Sequence, residues 1–434
     1  MQTILKDGLR LIYLNPIQSP ARMCGINERK EAKMKSKASG MLVTVLVLVA
    51  LIGALDHDAN SAPATPKKAM PYKVGVMFSL TGVGAYIGKE MVTSVEMLFE
   101  NINKKGGING RTIEWVTYDD GGDHTQAILN VKKLAANKEI LAMIGISGSG
   151  VAVAILSTVN KEEIPTIASC ATDDIVVPVT KWMFKANSRQ EDQVAPILNY
   201  GKDMGWKRLA IFAEQVGPSP RGSRLTKEMA PTWGMEVVAF ETCNPGDVDF
   251  RSQLTKIKAA NPDGIVFWFY NPEYSLALKQ MKELGIPAPK AINQGGTGML
   301  ETIKLAGEAA EKTAEPLQKT MAYDKLSADD PQREYIITFV EDTKAKYGNI
   351  PGAFATNSYD SAQVLLHALR DLGSRPVTRA TLRGAIEKVK FAGNSGLFKF
   401  TPEDHTGLFK RGSYTVFVVK DGKPVVHKIP VFKW

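Results

Sequence analysis

Tyr72-Lys-Val-Gly-Val-Met-Phe-Ser-Leu-Thr-Gly-Val-Gly-Ala-Tyr-Ile-Gly88 reads as a strand, a glycine-rich turn and the opening of a helix. Residues 74–79 form a short β-rich apolar run, the signature of a buried strand. From about Gly88 the period changes, and Met91, Val95, Leu98, Phe99 and Ile102 recur on one helical face. Gly106-Gly107 then stops the helix as a C-cap does. Working outward, the same grammar repeats, with strands at 113–118, 141–146 and 164–169 and helices near 125–137 and 151–161. A second series begins near Glu191, with a helix to 204, strands at 209–213, 236–242 and 264–270, and helices at 251–260 and 273–284. Late in the chain, helices near 333–347 and 354–372 precede a third, shorter one. The end switches to a hairpin, with strands at 414–420 and 425–428 around Asp421-Gly422. Strands alternating with helices imply parallel sheets with right-handed crossovers, here two of them. The expected fold class is therefore α/β, two doubly wound parallel-sheet lobes with a cleft between.

The chain has 434 residues, 44% hydrophobic, 8% aromatic and 23% charged, which suits two or three folding units and excludes disorder as the main state. Its 37 Gly and 3 Cys exclude collagen-like and disulfide-dense scaffolds. The 54 basic and 45 acidic residues leave a net charge of +9, scattered rather than massed on one face. Nucleic acid is not an expected partner. Cys170 and Cys243 fall on different expected lobes, so both are expected to be free thiols.

Residues 41–55 are an unbroken apolar run, short of the roughly 18 residues that span a bilayer. Lys33, Lys35 and Lys37 precede it, and Ala62-Pro63-Ala64 offers a small-residue cleavage site after it, with Ala59-Asn60-Ser61 as a second candidate. A basic flank, apolar core and small-residue exit read as a secretory signal peptide within a leader of residues 1–64, and the alternative is a short anchor helix. Met34 is a candidate for the true start. Export to the periplasm is the expectation.

Catalytic motifs fail on inspection. Gly82-Val-Gly84 would need a third glycine where Ile87 stands, so the dinucleotide fingerprint is broken. The run Gly84 to Lys89 has one residue too few for a P-loop, and Glu90 replaces the metal-binding hydroxyl. The five histidines are isolated and no metal site or cofactor is expected. Asp119-Asp120 is either a paired-carboxylate site or a turn and cap before Gly121-Gly122, the second being the commoner use of such a pair.

The opening stretch, together with Ile102-Asn-Lys-Lys-Gly-Gly-Ile-Asn-Gly110, Tyr118-Asp-Asp-Gly-Gly-Asp123, Ile144-Gly145 and Gly246-Asp-Val-Asp-Phe250, closely resembles the branched-chain amino acid binding proteins. These are substrate-binding subunits of ABC importers, with the type I periplasmic binding fold. The resemblance runs in order from Tyr72 to about Asp404. It implies no enzyme activity, a small-molecule ligand, importer permease subunits as partners and a monomer. It also implies three hinge crossovers, near 186–189, 316–322 and 391–394, so that lobe 1 is 72–187 with 322–391 and lobe 2 is 188–321 with 392–434.

The resemblance further implies ligand contacts, matched position by position. They are Tyr86 after the first strand, Ser149 beside Gly150 for a ligand carboxylate, Cys170, Ala171 and Thr172 in the loop after the fourth strand, and Tyr270 before Pro272-Glu273. A hydroxyl with glycine-freed amides at a helix start is a sound anion site. Cys170 is expected to be a spectator, and Trp268 and Phe269 to be core. Two positions depart from the family. Gly295 stands where amino-acid binders place an acidic residue for the ammonium, and Ser219-Pro220, followed by Arg221, stands where a Tyr-Gly pair is usual. An ammonium buried without an anion is costly. These departures favour a small organic or aromatic acid as ligand, aided by Arg221 or Arg189 if either reaches the cleft. The alternative is an amino acid or neutral amide, with Glu273 or another carboxylate as substitute. Readings of other classes are a sensory ligand-binding protein and a secreted α/β enzyme.

Overall fold

The computed structural model describes residues 69–430, apart from 83, 218, 294–297 and 409–413. The leader with its apolar run, and Gly295, lie outside the described residues. The first series is β1 (Tyr72–Phe78), α1 (Ala85–Lys104), β2 (Ile113–Asp119), α2 (His124–Ala136), β3 (Ile140–Gly145), α3 (Ser149–Lys161), β4 (Thr166–Ala168) and β5 (Met183–Lys185). Its strands form one parallel sheet in the order β2-β1-β3-β4-β5.

The second series is α4 (Gln190–Asp203), β6 (Arg208–Glu214), α5 (Ser219–Met229), β7 (Glu236–Cys243), α6 (Arg251–Ala259), β8 (Gly264–Trp268), α7 (Glu273–Glu283), β9 (Lys290–Ile292), α8 (Met299–Ala306) and β10 (Thr313–Gln318). Its parallel strands repeat the first sheet's order, β7-β6-β8-β9-β10. The chain then adds α9 (Arg333–Tyr347), α10 (Ala353–Leu372), α11 (Arg379–Ile386) and the small pair β11 (Lys390–Ala392) and β12 (Leu397–Lys399). It ends on the hairpin β13 (Tyr414–Lys420) and β14 (Lys423–Lys428), with β13 antiparallel to β10.

Alternation along the strands puts apolar side chains on both faces of each sheet, as a parallel sheet covered on both sides requires. In β1, Val74, Val76 and Phe78 pack with residues of α1 and α10, while Met77 packs with residues of α2 and α3. In β8, Ile265 and Phe267 join one core and Val266 and Trp268 the other. Trp268 and the following Phe269 are both fully buried, and the Trp268 indole donates to Thr226 Oγ1 at 2.9 Å.

The last passage between sheets comes later than the resemblance implied. Phe391, Phe398, Phe400 and Leu408 are buried in the first sheet's core with Tyr359 and Leu365, and the Phe391 and Phe398 rings stack at 4.9 Å. Residues 392–408 therefore pack on the first sheet rather than belonging wholly to the second lobe, because that is where these side chains find apolar cover. The first passage, between β5 and α4, is pinned by buried polar contacts. Lys185 Nζ lies 2.6 Å from Asp173 Oδ1 and 2.7 Å from the Ser188 carbonyl.

Candidate functional site

In a sheet of order 2-1-3-4-5 the connections part between the first and third strands, leaving a crevice at their carboxyl ends. Here that rule applies twice, between β1 and β3 and between β6 and β8. Two close approaches shape the first crevice. A Cβ on Gly88 would lie 2.0 Å from the Ser79 carbonyl oxygen, and Gly145, at φ +141°, leaves the same 2.0 Å at the Met77 carbonyl. Glycine at both positions lets α1 and the end of β3 close on β1.

The first edge offers uncharged donors beside two turn carboxylates, Asp119 and Asp120. Ser149 is the first residue of α3, half-buried, and its hydroxyl has no partner among the described residues. Gly148 supplies the cap position with no side-chain cap bond, so the first-turn amides stay open to an anion. Ser147 Oγ contacts Ser79 Oγ at 3.2 Å, and Ser79 Oγ donates to buried Asp120 at 2.6 Å. Asp119 accepts from the Leu80 amide and the Thr81 hydroxyl, each at 2.7 Å, and from the Gly121 amide at 2.8 Å. Burial opposes its charge, but these donors hold its carboxyl below the usual range. The acidic pair thus organises the turn after β1.

Tyr86 is the second residue of α1, 62% exposed, with its ring edge-on to Phe354 at 6.4 Å. Beside it a cavity of about 340 Å³ is bounded by Met299, Leu317, Met321 and Phe354. Gly150 is exposed and lies against the His124 ring. Ala171 and Thr172 are half-buried, and Thr172 Oγ1 accepts from the Asp174 amide at 3.2 Å. Cys170 is 1% exposed and packed in the core with Met143 and Ala168, and burial pushes its thiol up to about 11. Both Cys170 and Cys243 are free thiols.

The second edge is acidic. Tyr270 follows β8 half-buried, and Gly217 lies beside its hydroxyl, where an added Cβ would sit in ordinary contact at 3.4 Å. Burial pushes the Tyr270 phenol well up, and Tyr86 and Glu214 add to the shift. Those interactions bring Tyr86 of the first edge and Tyr270 of the second into one neighbourhood. Glu214, the last residue of β6, is buried beside them. Burial, then the Glu273 carboxylate, push it up to about 7 against a hydrogen bond from the Tyr270 amide. Ser219 opens α5 fully buried, and its hydroxyl has no partner among the described residues.

Neither arginine is free for a ligand. Arg221 on α5 reaches from the second sheet to Asp174 at 3.2 Å and Asp173 at 3.7 Å, and to Glu191 at 3.6 Å. Arg189 pairs with Asp404 at 2.9 Å. The expected cationic aid to an organic acid is thus spent on the protein's own carboxylates. Sequence reading missed Glu214 because the strand was ended at Ala213. The signal was a carboxylate directly after the apolar run Leu209-Ala-Ile-Phe-Ala.

Two sheets of one strand order, with facing carboxyl edges and repeated chain passages between them, define a two-lobed ligand-binding protein of the type I periplasmic binding fold. The sequence profile of the periplasmic binding protein family matches residues 71–423, and the chain belongs to that family. It is 25% identical over 357 residues to the Leu/Ile/Val-binding protein homolog 3 of Brucella melitensis, covering 81% of this chain and 92% of that one. It is 27% identical over 350 residues to the leucine-, isoleucine-, valine-, threonine- and alanine-binding protein of Pseudomonas aeruginosa, covering 80% and 87%. The crystal structure of an extracellular ligand-binding receptor from Rhodopseudomonas palustris HaA2 superposes with a TM-score of 0.71 at 25% identity, covering 82% of this chain and 99% of that one. The family and these relatives are binding proteins, not enzymes. Among the described residues no helix is long and apolar enough to cross a membrane.

Proposed function

We propose that the protein is an exported, monomeric solute-binding protein that closes on an α-amino acid with an apolar side chain and presents it to an ABC importer permease. One observation carries this reading: the facing edges have opposite polarity. Ser149, Thr172 and the open amides of α3 suit a carboxylate, while Glu214 and Glu273 lie by Tyr270 on the other side. A zwitterion needs both. The names of the Brucella and Pseudomonas relatives support the same ligand class. Tyr86, Tyr270 and the cavity beside Tyr86 offer apolar surface for the side chain.

The organic-acid reading weakens because Arg221 and Arg189 are already paired. In the proposed action, lobe 1 is 72–187 with 322–408 and lobe 2 is 188–321 with the terminal hairpin, and ligand capture draws the two edges together. Thermal unfolding of the purified protein with leucine, isoleucine, valine and their deaminated acids tests this. Ligand at a thousandfold its Kd stabilises by about 4 kcal/mol, so an amino acid should raise the Tm by several degrees. A rise with the acids and none with the amino acids overturns the reading.

A further inference from the structure

Glu214 ends β6 at the switch point of the second sheet and is 3% exposed. The Tyr270 amide donates to its carboxylate, yet Oε2 has no hydrogen-bond partner among the described residues. A buried polar atom left unmatched is costly and calls for a specific explanation. The groups facing it from the packed elements are Glu273 at the start of α7, Asp247 in the loop after β7, Cys243 at the end of β7, and Tyr270. They are acidic or neutral, so no side chain among them supplies a positive charge. An exposed acidic cluster would be relieved by water, but Glu214 is shielded from it.

The geometry points to Glu214 as the residue that receives the ligand's α-ammonium group, an assignment that rests on the amino-acid reading above. It takes the part that the resemblance gives to the residue at 295, where this chain has glycine. An incoming ammonium supplies the donor that Oε2 lacks and offsets the repulsion from Glu273 and Asp247. Burial and Glu273 hold Glu214 up to about 7, so a bound cation favours its ionised form. Ligand capture near neutral pH should therefore release protons.

Calorimetry of leucine binding at pH 7, in phosphate and in Tris, reads both affinity and proton release. The wild-type protein should release a fraction of a proton, and E214Q should bind leucine about tenfold or more weakly with that release gone. The near-isosteric change should leave the circular dichroism spectrum unaltered. E214D decides the point if the amide variant does not fold: weaker binding with the release retained is expected, and wild-type affinity overturns the assignment. Unchanged affinity and proton release in E214Q overturn the Glu214 assignment alone. Wild-type preference for 4-methylpentanoate over leucine overturns both it and the amino-acid reading.

Discussion

The two sheets share one strand order and differ in the chemistry of their carboxyl edges. The first presents Ser149, Thr172 and open amides, and of its two turn carboxylates Asp119 is satisfied by loop donors while buried Asp120 keeps Oδ2 unmatched. The second presents Glu214 and Glu273 around Tyr270, with one carboxylate oxygen unmatched. Topology fixes where a ligand is held, since both edges are switch points. Loop residues fix what is held, and on the proposed reading opposite polarity across the gap selects a ligand with charges at both ends.

The largest expected effect comes from breaking the first edge at its root. Lys185 and Asp173 are both shielded from water, their side chains 0% and 2% exposed, and paired at 2.6 Å. Lys185→Met strands a buried carboxylate and should lower unfolding free energy by about 3–5 kcal/mol in urea titrations. A loss below about 1 kcal/mol would show that Arg221 alone suffices for Asp173.

The next effect separates the edges by pH. Glu214 rises from 4.5 to about 7 in the folded protein. A raised carboxylate favours folding fully below its unfolded value, and that contribution is lost as pH climbs through the folded one. Ligand-free stability should therefore fall between pH 4.5 and 7, by up to about 3 kcal/mol, and level off above. Asp360, raised by burial to about 6, contributes a similar slope from 3.8. E214Q should remove the first part only, so an unchanged slope in that variant contradicts the burial of an ionisable group there.

Ser149→Ala tests the first edge's claim on the carboxylate. Loss of one charge-assisted hydrogen bond should weaken leucine binding by about 1.5–3 kcal/mol in calorimetry, with little change in Tm. Equal affinity would move the carboxylate elsewhere. The smallest effect belongs to Arg221, which ties the edges directly but is 37% exposed. Arg221→Ala should shift leucine affinity by no more than about 1 kcal/mol, less at high salt. A much larger, salt-insensitive loss would make it a ligand contact after all.

Most of the fold was legible because buried parallel strands and amphipathic helices leave periodic traces. The helix Arg333–Tyr347 has the very bounds its periodicity predicts. Helix α5 was not legible, since Ser219-Pro220-Arg221-Gly222 reads as loop punctuation. Its stability comes from packing, with Gly222 pressed against the Trp268 ring. The three-residue strands β5 and β9 are too short to carry a period. Ser149 and Tyr270 were singled out through the family resemblance, whereas the burial of the Cys170 thiol and the pairing of Arg221 depend on contacts distant in sequence. Glu214 was hidden for a related reason. A strand-terminal carboxylate looks solvated until its neighbours are known.

A crystal structure of the protein with leucine bound tests the zwitterion account most directly. The account predicts the ligand carboxylate within about 3 Å of Ser149 Oγ and the ammonium at similar distance from Glu214. Leucine bound in reverse, or seated away from both residues, would contradict it.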